Sequence, residues 1–127
     1  MRAKPRILII DGDVERARSL ADLLEAGGAY ATRVAHCAAD AVISATAYPP
    51  AIAFLDIELP HSSAFAVARL FNEQPPLRPT RLIGLTADVD LPTREAARAA
   101  GFEQFLAKPV TAIELHKVLG RRTGIAA

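Results

Sequence analysis

The chain has 127 residues, of which 51% are hydrophobic and 23% charged, as is typical of one globular domain that closes its own core. The formal net charge is +1 at pH 7, so no overall positive field favours nucleic acid or an acidic membrane surface. The single cysteine excludes an internal disulfide, and the apolar runs are too short to span a bilayer or to form a signal peptide. We therefore expect one cytoplasmic domain over residues 1–127, with a short tail from about residue 120 to residue 127.

The first part of the chain alternates between strand-like and helix-like segments. Residues 7–10 are apolar without interruption, which is typical of a strand buried on both faces. Asp13 is placed to cap the helix that follows, and the glycine pair at 27–28 ends it. A second strand is predicted over 30–35 and a second helix over 38–47, which a pair of prolines ends.

The same alternation continues through the second part. A third strand is predicted over 51–55, followed by a helix whose apolar face spans 64–71. Prolines between 75 and 79 predict a loop. The fourth and fifth strands are predicted over 81–85 and 102–107.

The last two helices have clear end signals. Pro92 lies near the start of the fourth helix and Gly101 ends it. Thr111 and Glu114 have the spacing of a capping box and open the final helix, which runs to about Leu119. Strict alternation of buried strands and helices predicts an α/β fold, a doubly wound parallel sheet of five strands with helices on both faces.

Four polar residues follow strands of this predicted sheet. Asp11, Asp56, Thr86 and Lys108 come after the first, third, fourth and fifth strands. Any one of them is explained by an ordinary turn or helix cap. Together they indicate a site, because ligands of open parallel sheets bind outside the carboxyl ends of the strands.

These residue types suit phosphoryl transfer. Two neighbouring carboxylates need a cation between them, and carboxylate oxygens suit Mg²⁺. A carboxylate can attack phosphorus, while an ammonium and a hydroxyl group stabilise the oxygens of the transferring group. Asp56 as nucleophile, Asp11 on the metal, and Thr86 and Lys108 on the phosphoryl oxygens would make a complete site.

With these residues, the sequence resembles the receiver domain of response regulators along essentially its whole length. The matching segments are ILIIDGD, FLDIELP, LIGLTAD and FLAKP. The resemblance implies the strand order 2-1-3-4-5. It also implies that Asp56 takes a phosphoryl group from the phosphohistidine of a histidine kinase or a phosphotransfer protein. Such a domain is a signalling module and not an enzyme with a separate substrate.

The resemblance also implies a conformational switch. Thr86 is then the switch hydroxyl, Phe105 takes the place of the switch aromatic, and Lys108 is the site lysine. Phosphorylation would shift the face formed by the fourth helix, fifth strand and fifth helix. Its expected partner is a downstream protein or a second copy of the chain, with no direct contact to nucleic acid or membrane.

Two positions depart from the family pattern. Gly12 stands where a second acid normally contacts the metal, which puts Mg²⁺ affinity in question, and Ala64 replaces a usual glycine. The backbone carbonyl of Glu58 is an expected metal ligand by analogy. We expect Asp13 or the Glu58 side chain to replace the missing carboxylate. The alternative is that Glu58 is a solvated loop acid.

A different function class remains open. In a degenerate receiver the domain would be an interaction module that works without phosphorylation, and Gly12 favours this alternative. The remaining polar side chains are interpreted as structural or solvated: the histidines His36, His61 and His116, the thiol of Cys37, and the arginines of the first helix, Arg16 and Arg18.

Overall fold

The computed structural model describes residues 3–59, 64–87 and 94–120. Its strands are parallel and form one sheet in the order β2-β1-β3-β4-β5, so the predicted fold class and strand order are confirmed. The elements in chain order are β1 (Arg6–Ile10), α1 (Val14–Glu25), β2 (Ala31–Ala35), α2 (Ala38–Ala47), β3 (Ile52–Asp56), α3 (Ala64–Glu73), β4 (Arg81–Thr86), α4 (Arg94–Ala100), β5 (Phe102–Ala107) and α5 (Ala112–Gly120).

Two apolar layers cover the sheet, because successive side chains of a strand point to opposite faces. Leu8 and Ile10 pack with the buried residues of α2, α3 and Ala100. Ile7 and Ile9 pack on the other face with the buried residues of α1 and α5. The central strands are therefore buried on both sides, which explains why they read as uninterrupted apolar runs.

Both predicted helix caps are present. The Asp13 side chain accepts a hydrogen bond from the backbone N–H of Arg16 at 2.9 Å. At the start of α5, the backbone N–H of Glu114 donates to the Thr111 hydroxyl at 3.2 Å, and the Glu114 carboxylate accepts from Thr111 in return. These caps fix the first turns of the two helices that flank the carboxyl edge of the sheet.

The glycine pair ends the first helix as predicted: α1 ends at Glu25, and Gly28 takes a left-handed φ of 75° in the turn that follows. The structure differs from the sequence prediction in the next feature. The proline-rich segment is not an open loop, because Pro75–Leu77 forms one 3-10 turn in which Leu77 is buried. Pro92, His61 and residues 121–127 of the predicted tail lie outside the described residues.

The parallel register brings the ends of the strands to one edge. Ile10 pairs with Leu55, and Thr86 pairs with Ala107, so the residues just after β1 and β5 lie beside the ends of β3 and β4.

None of the described helices is long and apolar enough to cross a membrane.

Candidate functional site

Two buried carboxylates form the centre of the site. Asp11 follows β1 and Asp56 ends β3, and each is only 2% exposed. A buried carboxylate is costly unless it is hydrogen-bonded and paired with a cation. The identity of the groups that surround these two side chains therefore decides what the site can do.

Backbone amides hold both carboxylates in place. The N–H of Asp13 donates to Asp11 Oδ1 at 2.8 Å. In the same way, the N–H of Glu58 donates to Asp56 Oδ1 at 3.0 Å. Each bond joins an acid to the residue two positions later, so the turn after each strand orients the carboxylate at its end.

Lys108 lies directly beside Asp56. Its Nζ is 2.8 Å from Asp56 Oδ1 and 2.8 Å from Glu58 Oε1, and its backbone N–H donates to the Thr86 carbonyl at 2.9 Å. Burial disfavours the charged ammonium, but the bonds to Asp56 and Glu58 outweigh burial and raise the pKa of Lys108. The bond from Lys108 correspondingly lowers the pKa of Glu58. Lys108 is therefore a fixed positive charge at the acid pair.

Arg16 is the residue that sequence reasoning missed. Its Nε donates to Asp11 Oδ2 and its Nη2 to Asp11 Oδ1, both at 2.9 Å, and Nη2 also lies 3.5 Å from Asp56 Oδ2. The bond to Asp11 raises the pKa of Arg16. Arg16 is 46% exposed, as expected for a solvated face, but its guanidinium group is also paired with two buried carboxylates. The only available signal was its place in the first turn of α1, five residues after Asp11.

The arrangement of donors does not fit a divalent cation. Gly12 has no side chain, and both oxygens of Asp11 accept bonds from Arg16. The Asp13 carboxylate caps α1, which lowers its pKa, and the Glu58 carboxylate is paired with Lys108. Over the described ranges, no three His, Cys, Asp or Glu side chains are arranged to hold a metal ion. As placed here, both oxygens of Asp11 and Oδ1 of Asp56 are already bonded to cationic side chains and amides, so a divalent cation would have to displace Arg16 or Lys108.

The two residues of the expected switch lie on the neighbouring strands β4 and β5. Thr86 ends β4 and is 1% exposed. Phe105 is half-buried and stacks on Phe102 with ring centroids 5.3 Å apart. A Cβ added to Gly84 would be 2.3 Å from two ring carbons of Phe105, so the ring lies directly over the backbone of β4.

The other polar residues singled out in the sequence have ordinary positions. His36 Nδ1 lies 2.9 Å from the Asp11 carbonyl oxygen, a backbone contact, and His116 is exposed on α5. Cys37 is a half-buried free thiol that precedes α2 and makes no side-chain cap bond. Ala64 is buried at the start of α3.

Comparison with known sequences gives one consistent family. The family model of the response regulator receiver domain matches residues 7–120. Acid tolerance regulatory protein ActR of Rhizobium meliloti (strain 1021) is 31% identical over 118 residues, which cover 93% of this chain. The chain spans 59% of the length of ActR.

Solved structures agree with that match. A response regulator receiver domain protein (CheY-like) from Methanospirillum hungatei JF-1 has a TM-score of 0.82 at 25% identity, covering 93% of this chain and 92% of that one. The receiver domain of sensor histidine kinase PA1611 from Pseudomonas aeruginosa PAO1, described with a magnesium ion coordinated in its active site cleft, has a TM-score of 0.83 at 27% identity. It covers 94% of this chain and 97% of that one. The chain thus belongs to the response regulator receiver domain family.

Proposed function

We propose that this receiver domain accepts a phosphoryl group on Asp56 from a phosphohistidine and passes the signal on through a partner-binding face. The observation that carries the proposal is the 2.8 Å contact between Lys108 Nζ and Asp56 Oδ1 in a buried acid pair at the carboxyl edge of the sheet. A carboxylate held beside an ammonium group is placed to attack phosphorus, and the ammonium can neutralise the oxygens of the incoming group.

In the proposed reaction, a carboxylate oxygen of Asp56 forms a bond to phosphorus while the bond from phosphorus to the donor imidazole nitrogen breaks. The electron pair of that bond goes to the imidazole. The new acyl phosphate brings roughly −1.5 to −2 units of charge at neutral pH, by analogy with other phosphorylated side chains. Lys108 holds one side of this charge, and Thr86, at the end of the next strand, supplies a hydroxyl group.

The proposed output is a population shift. Thr86 moves toward the phosphoryl group, Phe105 adjusts on β5, and the face formed by α4, β5 and α5 favours its active arrangement. The donor is a histidine kinase or a phosphotransfer protein of the cytoplasm. A downstream protein or a second copy of the chain then binds the switched face. ActR extends beyond the matched region, and the proposed function concerns the receiver domain alone.

Receiver domains bind Mg²⁺ in their active sites, and the PA1611 domain is described with that ion. For this chain we propose a lowered Mg²⁺ affinity, because Gly12 supplies no second acid. By family analogy the ligands would be Asp11, Asp56 and the backbone carbonyl of Glu58, and the ion would have to displace Arg16 from Asp11. In this structure the carboxylates of Asp13 and Glu58 both make other bonds. Replacement of the missing acid by either side chain therefore stays a prediction.

The test is incubation with acetyl phosphate and Mg²⁺ followed by intact-mass measurement. The wild-type chain is expected to gain one phosphoryl group and Asp56→Asn none. A wild-type chain that gains nothing, and shows no spectral change with beryllofluoride, would support the alternative of a phosphorylation-independent interaction module.

A further inference from the structure

Arg16 occupies a position in α1 that disfavours a positive charge. It lies in the first turn of the helix, where the exposed N–H groups and the helix dipole favour anions. Arg18, two residues further along the same helix, is exposed to solvent. Helical side chains lean toward the N-terminus of their helix. The Arg16 side chain therefore extends back to the end of β1, where Asp11 compensates its charge.

The guanidinium group connects the two buried acids. Its planar fork makes two parallel bonds with Asp11, the strong form of an arginine-carboxylate pair. The same Nη2 atom lies 3.5 Å from Asp56. Lys108 contacts the opposite oxygen of Asp56. Arg16 and Lys108 thus both contact the buried pair of acids. Each also pairs with a more exposed acid, Arg16 with Asp13 at 3.7 Å and Lys108 with Glu58 at 2.8 Å.

We propose that Arg16 is a built-in counter-ion that takes the place of the divalent cation between Asp11 and Asp56, so that the pocket disfavours the cation and Asp56 accepts a phosphoryl group without it. The second part of this proposal rests on the proposed function. The first part concerns cation binding alone and can be tested by itself.

The phosphoryl transfer step balances without a metal ion. With acetyl phosphate as donor, a carboxylate oxygen of Asp56 bonds to phosphorus, the bond from phosphorus to the acetate oxygen breaks, and acetate leaves with the electron pair. No proton has to be moved. Arg16 and Lys108 contact different oxygens of Asp56, so a cation stands on each side of the developing phosphoryl charge.

The first experiment measures Mn²⁺ binding by electron paramagnetic resonance for the wild-type chain, Arg16→Gln and the matched control Arg18→Gln. Arg16→Gln removes a charged group that competes with the metal ion for Asp11. This variant should therefore bind Mn²⁺ at least about tenfold more tightly than the wild type does. Arg18→Gln should bind as the wild type does. An Arg16→Gln variant that binds no more tightly than wild type overturns the proposal. Circular dichroism checks that each variant is folded. Arg16→Lys keeps the charge but loses the planar fork, and it should raise the Mn²⁺ affinity by less than Arg16→Gln does.

The second experiment follows labelling by acetyl phosphate in EDTA and in Mg²⁺. The wild-type rate in EDTA should stay within about tenfold of its rate in Mg²⁺, whereas Arg16→Gln in EDTA should be roughly 10²-fold slower and recover with Mg²⁺. A wild-type chain that is labelled only with Mg²⁺ contradicts metal-independent acceptance. If no condition labels the wild type, the proposed function fails, and the Mn²⁺ comparison alone decides the role of Arg16.

Discussion

The ring of Phe105 lies directly over Gly84, with two ring carbons only 2.3 Å from where a Cβ of residue 84 would be. The absence of a side chain on this residue of β4 is what lets the ring occupy its position between Phe102 and the strand. Ile57, which follows the acid of β3, borders the same place at 3.2 Å. The position of the proposed switch aromatic is therefore set by a glycine on the neighbouring strand.

Gly84→Ala should displace the Phe105 ring, because the new methyl group and the ring cannot share this space. Overpacking of this kind costs about 1–3 kcal/mol of unfolding free energy. Urea unfolding measures the cost, and NMR contacts between Phe105 and Phe102 report the ring. Gly27→Ala is the matched control, since nothing lies within 4 Å of its added Cβ. Unchanged stability with intact ring contacts would show that the close approach is wrong.

Lys108→Ala should slow labelling of Asp56 by acetyl phosphate roughly 10²- to 10³-fold, as expected when one fixed donor to a developing charge is removed. The same change should raise the pKa of Glu58 toward its ordinary value, because the bond from Lys108 is what lowers it. Carboxyl NMR titration reads that pKa. Lys117→Ala, on an exposed position of α5, should alter neither quantity. Full labelling of Lys108→Ala would remove Lys108 from the proposed reaction.

Thr111→Ala should destabilise the chain by about 0.5–2 kcal/mol through loss of the cap of α5. The Thr111 hydroxyl accepts from the backbone N–H of Glu114, and alanine leaves that amide without its partner. Chemical unfolding measures the loss. Thr111→Ser keeps the hydroxyl group and should retain most of the stability, so an equal loss in both variants would mean that the cap is not its cause.

Glu25 makes a pH-dependent contribution to stability. The hydroxyl and backbone N–H of Thr32 donate to its carboxylate and lower its pKa below the ordinary 4.5. Because the folded pKa is the lower one, the contribution is fully present above pH 4.5 and is lost as pH falls through the folded value. Urea midpoints of wild type and Glu25→Gln should therefore differ near neutral pH and converge in acid. A constant difference at all pH values would contradict this linkage.

The fold could be predicted from the sequence because its signals are local. Uninterrupted apolar runs such as 7–10 mark strands buried on both faces, and Asp13 and Thr111 mark helix starts through bonds within one turn. The placement of Asp11, Asp56 and Lys108 at one edge followed from the parallel direction of the predicted strands, whose carboxyl ends meet at one edge. The structure brings these three side chains together with Arg16.

The contacts that escaped prediction depend on tertiary structure. The direction taken by the long Arg16 side chain is decided by two carboxylates, one of them forty residues away. Prolines interrupt the apolar pattern of Pro75–Leu77, which therefore reads as a loop. In the structure the segment forms a 3-10 turn, and Leu77 is buried in the core cluster with residues of α2 and α3. In both cases the side chain packs against or pairs with residues of other elements, and the local sequence pattern is a weak signal of such contacts.

The central claim is that Asp56 becomes an acyl phosphate, and reductive trapping tests it at the level of the residue. After incubation with acetyl phosphate, borodeuteride reduces an aspartyl phosphate to deuterated homoserine, which peptide mass spectrometry can locate. We expect deuterated homoserine at position 56 in the wild-type chain and only a trace of it in the Lys108→Ala variant. Two results would contradict the claim that Asp56 is the acceptor. One is a label confined to another acid, such as Asp11 or Glu58. The other is an unmodified Asp56 in a chain that has gained a phosphoryl group.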